Sequence, residues 1–204
     1  MIGIVNYGVG NIKALVNQYE ILNIKHIVIN EKEQFNKVEK IILPGVGSFD
    51  YCKTQLENSK LIDALNENVC VLNKPVLGIC VGMQLMADHS EEGKKKGLSW
   101  IPGYVKKFKK EWFIKKPTIP HMGWNNIKVV KNSDLLKGIK NNIGFYFVHC
   151  YYFEAINSNN VLCTTEYGIE FHSGISRNNI FGIQFHPEKS HTNGLNLLKN
   201  FAKL

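Results

Sequence analysis

Five residues, Gly78-Ile79-Cys80-Val81-Gly82, constrain this chain more than any other stretch. Before them the apolar run Pro75-Val76-Leu77 reads as a short buried strand. After them Met83-Gln84-Leu85-Met86-Ala87 reads as the first turns of a helix. Cys80 therefore stands on a strand-to-helix elbow. Glycines two positions to either side allow a tight, strained turn that lifts the middle side chain clear of the sheet, the mechanics of a nucleophile elbow. The helix N-terminus offers unpaired N–H groups and a partial positive charge, both of which favour a thiolate. Taken alone, a cysteine behind an apolar strand can equally be read as a small core hydrophobe.

What separates the two readings lies a hundred residues downstream. Another strand-like run, Ile180 to Phe185, delivers His186-Pro187-Glu188. In extended backbone, residues two apart project to the same side, and Pro187 holds the residue before it extended. The carboxylate of Glu188 can then orient the His186 imidazole. Cys80, His186 and Glu188 are thus of the types needed for nucleophile, general base and orienter, provided the two strand ends are neighbours at one sheet edge.

The chain of 204 residues fits one domain, 1–204, and its 44% hydrophobic content is enough for a sizeable core. It starts straight into an apolar strand without a charged leader, and no apolar stretch approaches a bilayer span, so a cytoplasmic location and no membrane partner are expected. Cysteines at 52, 70, 80, 150 and 163 are odd in number with no close Cys-x-x-Cys pair, which argues against a disulfide framework and against a thiolate metal site. Neither metal nor cofactor is expected. The net charge of +8 invites a nucleic-acid partner, but the basic residues are Lys except for Arg177, and bidentate recognition prefers the guanidinium fork. No nucleic-acid partner is expected. The lysine run from Lys94 to Lys116 reads as a solvated loop or as a docking face for an acidic partner.

The order of elements argues for an α/β fold: a mainly parallel central sheet flanked by helices, with added antiparallel strands in the C-terminal half. Strands at Ile2–Val5, His26–Ile29 and Ile41–Leu43 alternate with helical stretches, the first capped by Asn11, and more helix fills Asp50 to Asn68. Beyond Ser90-Glu91-Glu92-Gly93, read as closing the Cys80 helix, shorter strand-like runs near Tyr104–Phe108, Ile127–Val130, Phe145–Val148, Val161–Thr165 and Ile180–Phe185 read as the added, largely antiparallel strands. Pro120 to Asn125 reads as a loop whose Met122 and Trp124 suit either a binding surface or core filling. Thr192 can cap a final helix. At the third strand's end, Pro44-Gly45-Val46-Gly47 is a glycine-rich loop of the kind that faces ligands in open α/β sheets. The N–H groups of Val46 and Val81 could form an oxyanion hole, or the loop could be a plain tight turn. Gln84, one helical turn past Cys80, could offer an amide to a substrate, and Glu92 could meet a cationic group; both could also be exposed polar surface.

With these motifs together, the chain resembles the class I (triad) glutamine amidotransferases, and within them is most similar to the glutaminase subunits of imidazole glycerol phosphate synthases. Seven ordered stretches carry the likeness: Tyr7 to Asn11, Leu43 to Gly47, Gly78 to Gln84, Ser90 to Gly93, Pro120 to Asn125, Phe145 to His149 and Gln184 to Ser190. The resemblance implies that Cys80 attacks the side-chain amide of L-glutamine with His186 and Glu188, and that Val46 and Val81 supply the oxyanion donors. It further implies a glutamine pocket of Gly47, Gln84, Glu92, His149, Cys150 and Tyr151. Cys150 departs from the Ser or Thr commoner there in the family. The resemblance also implies a heterodimer with a barrel-shaped synthase (cyclase) subunit that receives the ammonia for histidine biosynthesis. Asn11, Met122, Trp124 and Lys189 match partner-facing positions. Relatives that feed a sugar amidotransferase for surface polysaccharide share the same apparatus, and Trp100 looks more like theirs. Two further classes differ in what they leave unexplained. A cysteine peptidase fits the triad but suits Gln84 and Glu92 less well, and a nucleic-acid-binding module fits the charge but not the triad.

Overall fold

Four strands with helices between and after them make up the first 84 residues. The computed structural model describes residues 1–113, 118–140 and 142–204. In order come β1 (Ile2–Val5), α1 (Ile12–Ile21), β2 (His26–Ile29), β3 (Lys40–Gly45), α2 (Phe49–Asn58), α3 (Ile62–Asn66), β4 (Val76–Cys80) and the short α4 (Val81–Gln84). β1 and β4 are buried along their whole length, and their near-continuous apolar sequence follows from cover on both faces. β2, β1, β3 and β4 pair in that order, all parallel.

The second half is strand-rich: β5 (His89–Ser90), β6 (Gly103–Lys107), β7 (His121–Asn125), β8 (Lys128–Val129), β9 (Phe145–His149), β10 (Tyr151–Ala155), β11 (Val161–Tyr167), β12 (Ile169–Arg177) and β13 (Ile180–Ile183), closed by α5 (His191–Lys203). The sheet runs β2-β1-β3-β4-β13-β12-β10-β6-β5, with β11 on β12 and β8 on β11, while β7 and β9 form a separate two-stranded ribbon. The expected class, a mainly parallel centre with antiparallel additions, is the class observed. Within it, β13 departs from the antiparallel expectation by joining the parallel set, with Ile183 opposite Ile79. Only a parallel neighbour brings the chain out at the end of the sheet where Cys80 stands.

Local readings differ at four places. Pro120 to Asn125 was expected as a loop, but His121–Asn125 is strand β7, paired residue by residue with β9. Ser90 to Gly93 does not close a helix: α4 ends at Gln84, Ser90 belongs to β5, and the segment after it wraps onto the start of α2, where Asp50 accepts from the N–H groups of Lys94 and Lys95. Thr192 lies inside α5, which Ser190 precedes, and the hydroxyl of Ser190 is engaged with the His186 carbonyl at 2.6 Å. Asn11 precedes α1 without a side-chain capping bond. Lys115 and Lys116 of the basic run lie outside the described residues.

The core continues through both halves. Phe145 and Phe185 stack with ring centroids 4.0 Å apart, so the ribbon strand β9 and the chain following β13 share one apolar contact. Burial of a ring of this size contributes about 2–3 kcal/mol.

Candidate active site

Cys80 ends β4 with φ 54° and ψ −113°, a conformation costly for a residue with a side chain. The flanking glycines make it possible. A Cβ on Gly78 would stand 2.6 Å from Met86 Cε and 2.7 Å from the Gly82 carbonyl oxygen, and a Cβ on Gly82 would fall onto the Leu43 carbonyl oxygen. The turn therefore brings α4 directly against β3.

The parallel registry of β4 and β13 then carries the chain past Ile183 to His186, which remains extended at φ −100° and ψ 97°. Extended backbone does not continue to Glu188: Pro187–Lys189 is a 3-10 turn, for which the fixed φ of proline is suited. His186 and Glu188 still meet, Nδ1 lying 2.9 Å from Oε1. Both are buried, and the other Glu188 oxygen has no partner among the described residues. Burial pushes the His186 pKa down, but hydrogen bonding and charge from Cys80 and Glu188 outweigh it and raise the value to about 10. The sulfur and the carboxylate on either side thus favour the charged form of the imidazole.

Around this trio lies a cavity of about 720 Å³. Its lining shows how the sheet builds it. Gly8 to Asn11 follow β1, Val46 and Gly47 follow β3, Cys80 and Val81 follow β4, and His186 follows β13. The C-terminal ends of four parallel strands converge there, the place where open α/β sheets hold ligands. The far wall is the link between β9 and β10, His149, Cys150 and Tyr151. Gln84 and Glu92 also line it. Glu92 Oε2 accepts from the Phe49 N–H at 2.8 Å, at the start of α2, while burial raises its pKa. Gln84 is buried; its Nε2 donates to the Tyr151 carbonyl and to Gln184 Oε1, both at 3.1 Å. Cys150 has its carbonyl engaged by the Phe108 N–H at 3.1 Å, and burial raises its thiol.

Of the residues matched to a partner face, Asn11 and Lys189 line the cavity, and Met122 and Trp124 are exposed on β7. Trp124 stacks on His191 with centroids 5.1 Å apart. Lys189 Nζ lies 5.5 Å from the Tyr146 ring centroid. Trp100 belongs elsewhere: it is buried with its Nε1–H on Asn66 Oδ1 at 2.9 Å, beside the N-terminal end of β13 and away from Cys80.

Sequence reasoning gave no role to three residues that the geometry brings in. Gln184 Nε2 donates to Cys80 Sγ at 3.6 Å. The period of two that links His186 to its strand also puts Gln184 on the same side, a usable clue. Cys52 Sγ–H donates to the Val46 carbonyl at 3.3 Å, and the Tyr7 hydroxyl donates to the Pro44 carbonyl at 2.5 Å, so the glycine-rich loop is held from below. Burial raises the Cys52 thiol to about 11, so it stays a donor. Neither contact has a local sequence pattern.

A sulfur on a strained elbow, an imidazole set between that sulfur and a carboxylate, and a cavity at the ends of four parallel strands define a thiol enzyme of the α/β class. The family profile described as glutamine amidotransferase class-I matches residues 4–204, and the chain belongs to that family. The chain is 46% identical over 204 residues, the whole of both sequences, to the imidazole glycerol phosphate synthase subunit HisH of Leptospira interrogans. To the subunit named HisH 2 of Methanococcus maripaludis it is 46% identical over 203 residues, covering 100% of this chain and 99% of that one. Among solved structures it is similar to a crystal structure titled glutamine amidotransferase, with TM-score 0.73 and 15% identity over 100% of this chain and 99% of the other, a likeness of fold. Among the described residues, no helix is long and apolar enough to cross a membrane.

Proposed function

We propose that the whole chain acts as one glutaminase domain, the subunit of an imidazole glycerol phosphate synthase that releases ammonia from L-glutamine. Cys80 attacks the side-chain carboxamide carbon, forming a C–S bond and an oxyanion that the N–H groups of Val46 and Val81 receive. The His186 cation gives its proton to the departing nitrogen as the C–N bond breaks, so ammonia leaves and a glutamyl thioester remains. Neutral His186 then takes a proton from water, whose oxygen attacks the thioester. Collapse breaks the C–S bond, frees glutamate and returns the charged pair.

Glu188 keeps the imidazole oriented and charged. Glu92 meets the ammonium of glutamine, and Gly47, Gln84 and the segment His149 to Tyr151 enclose the rest. Ammonia passes to a barrel-shaped cyclase subunit docked over Asn11, Met122, Trp124 and Lys189, in histidine biosynthesis. Work in the cytoplasm fits five unpaired cysteines.

The observation that supports this most is the His186 ring lying between Cys80 and Glu188 at the ends of neighbouring parallel strands. A glutamine analogue with a diazoketone in place of the amide tests it. We expect one equivalent to be bound covalently at Cys80, read by intact mass and peptide mapping, with none on the Cys80→Ala variant. Modification of another cysteine first would contradict the assignment.

A second destination rests on Trp100, which resembles the residue found in glutaminases that feed a sugar amidotransferase. A glutaminase could serve a sugar amidotransferase with the same triad. Co-purification with a cyclase barrel, as against a sugar amidotransferase, separates the two.

A further inference from the structure

Beneath the ribbon of β7 and β9 runs a line of polar groups that leads into the proposed glutamine pocket, and its first members, Asn125 and His121, have no part in the proposed chemistry. His121 Nδ1 lies 2.9 Å from His149 Nε2, His149 Nδ1 lies 2.8 Å from the Tyr151 carbonyl oxygen, and Asn125 Nδ2 lies 3.2 Å from His121 Nε2. Both ends of the line are pinned by backbone. At one end Asn125 Oδ1 accepts from the Asn126 N–H at 2.8 Å and Nδ2 donates to the Glu166 carbonyl at 2.9 Å, so the amide has only an N–H to offer His121. His121 Nε2 must then accept, and its proton sits on Nδ1. At the other end a carbonyl can only accept, so His149 carries its proton on Nδ1 and presents a bare Nε2. The two ends independently demand the same pair of tautomers.

From the Tyr151 carbonyl the line continues: Gln84 Nε2 donates to it and to Gln184 Oε1, which leaves Gln184 Nε2 to face Cys80 Sγ. Burial pushes both histidines down, His121 to about 4 and His149 to about 3, so the line is uncharged at neutral pH.

We propose that His121 is a positioning residue of the glutamine pocket: its Nδ1–H locks His149 in the Nδ1–H tautomer and so holds the Tyr151 carbonyl, and the Gln84 amide bonded to it, in place beside Cys80. This rests on the glutaminase reading above. The competing role for His121 is packing, since its ring stacks on Tyr167 at 3.8 Å and on Phe147 at 4.6 Å between centroids.

Three variants separate the roles. His121→Phe keeps the stack and loses the donor. His121→Asn sacrifices the stack but returns an amide N–H near the place of Nδ1, whereas His121→Gln puts it near Nε2. With the chain assembled on its barrel subunit, His121→Phe and His121→Gln should raise KM for glutamine by about tenfold, the worth of one buried hydrogen bond. His121→Asn should return KM to within about threefold of the parent.

Imidazole nitrogen shifts of the unaltered protein give a reading that needs neither turnover nor a variant. We expect both rings as Nδ1–H. An Nε2–H tautomer at His149, or folded His121→Phe with unchanged KM and kcat, would overturn the proposal. If the parent releases no glutamate at all, the glutaminase reading fails, and the tautomer measurement still decides this one.

Discussion

At the scale of single residues, the site depends on a conflict that Glu188 helps resolve. A buried imidazole resists its charge, yet the neighbouring sulfur and carboxylate raise the His186 pKa to about 10. The unfolded value is about 6.5. A pKa raised by folding contributes stability that is complete below about 6.5 and is lost as pH rises through about 10. Thermal unfolding followed from pH 6 to 10 should show the parent losing stability over that window and Glu188→Gln losing less of it. The same variant should lower kcat by about a hundredfold or more, since the base is no longer oriented. Equal pH dependence in the two proteins would show that Glu188 does not sustain the charge. The glycine-flanked elbow and a His-Pro-Glu run delivered by a strand-like segment marked Cys80, His186 and Glu188 as candidates in the sequence. Cys52 and His121 were not so marked, because each is defined by partners far along the chain and not by its neighbours.

At the scale of elements, the elbow between β4 and α4 is a packing device as well as a conformational one. Gly82 lets the first turn of α4 press against the Leu43 and Pro44 backbone, where a side chain has no room. Gly82→Ala must therefore push β3 and α4 apart. We expect a cost of roughly 2–3 kcal/mol, a fall of about 5–10 °C in Tm, together with loss of activity because Cys80 moves relative to Val46. An alanine variant of unchanged Tm would show that the close approach is not required. The parallel strands were easy to read because burial on both faces makes them continuously apolar, as β4 shows. β12 escaped the reading for the opposite reason. It passes Ser173 and Gly174 through the interior, and Ser173 is satisfied by the hydroxyl of Thr165 at 2.7 Å, so its polarity is paired across strands and hidden from local patterns. β10 and β7 likewise gave no separable signal, since their pairing to β6 and β9 decides them.

At the scale of the whole molecule, the cavity sits where two architectures meet. Four parallel strands supply the thiol, the imidazole and two loops, and the antiparallel additions supply the wall of His149, Cys150 and Tyr151. β7 stands over that wall, with Met122 and Trp124 outward and His121 inward, so the face expected to meet a partner and the buried side of the pocket belong to one strand. The most direct test of the account is glutamate release from glutamine by the purified chain, alone and assembled with the cyclase barrel and its substrate, with Cys80→Ala as control. We expect release that rises on assembly and falls by at least about a thousandfold in Cys80→Ala. Release that survives in Cys80→Ala, or none from the folded, assembled protein, would contradict the account.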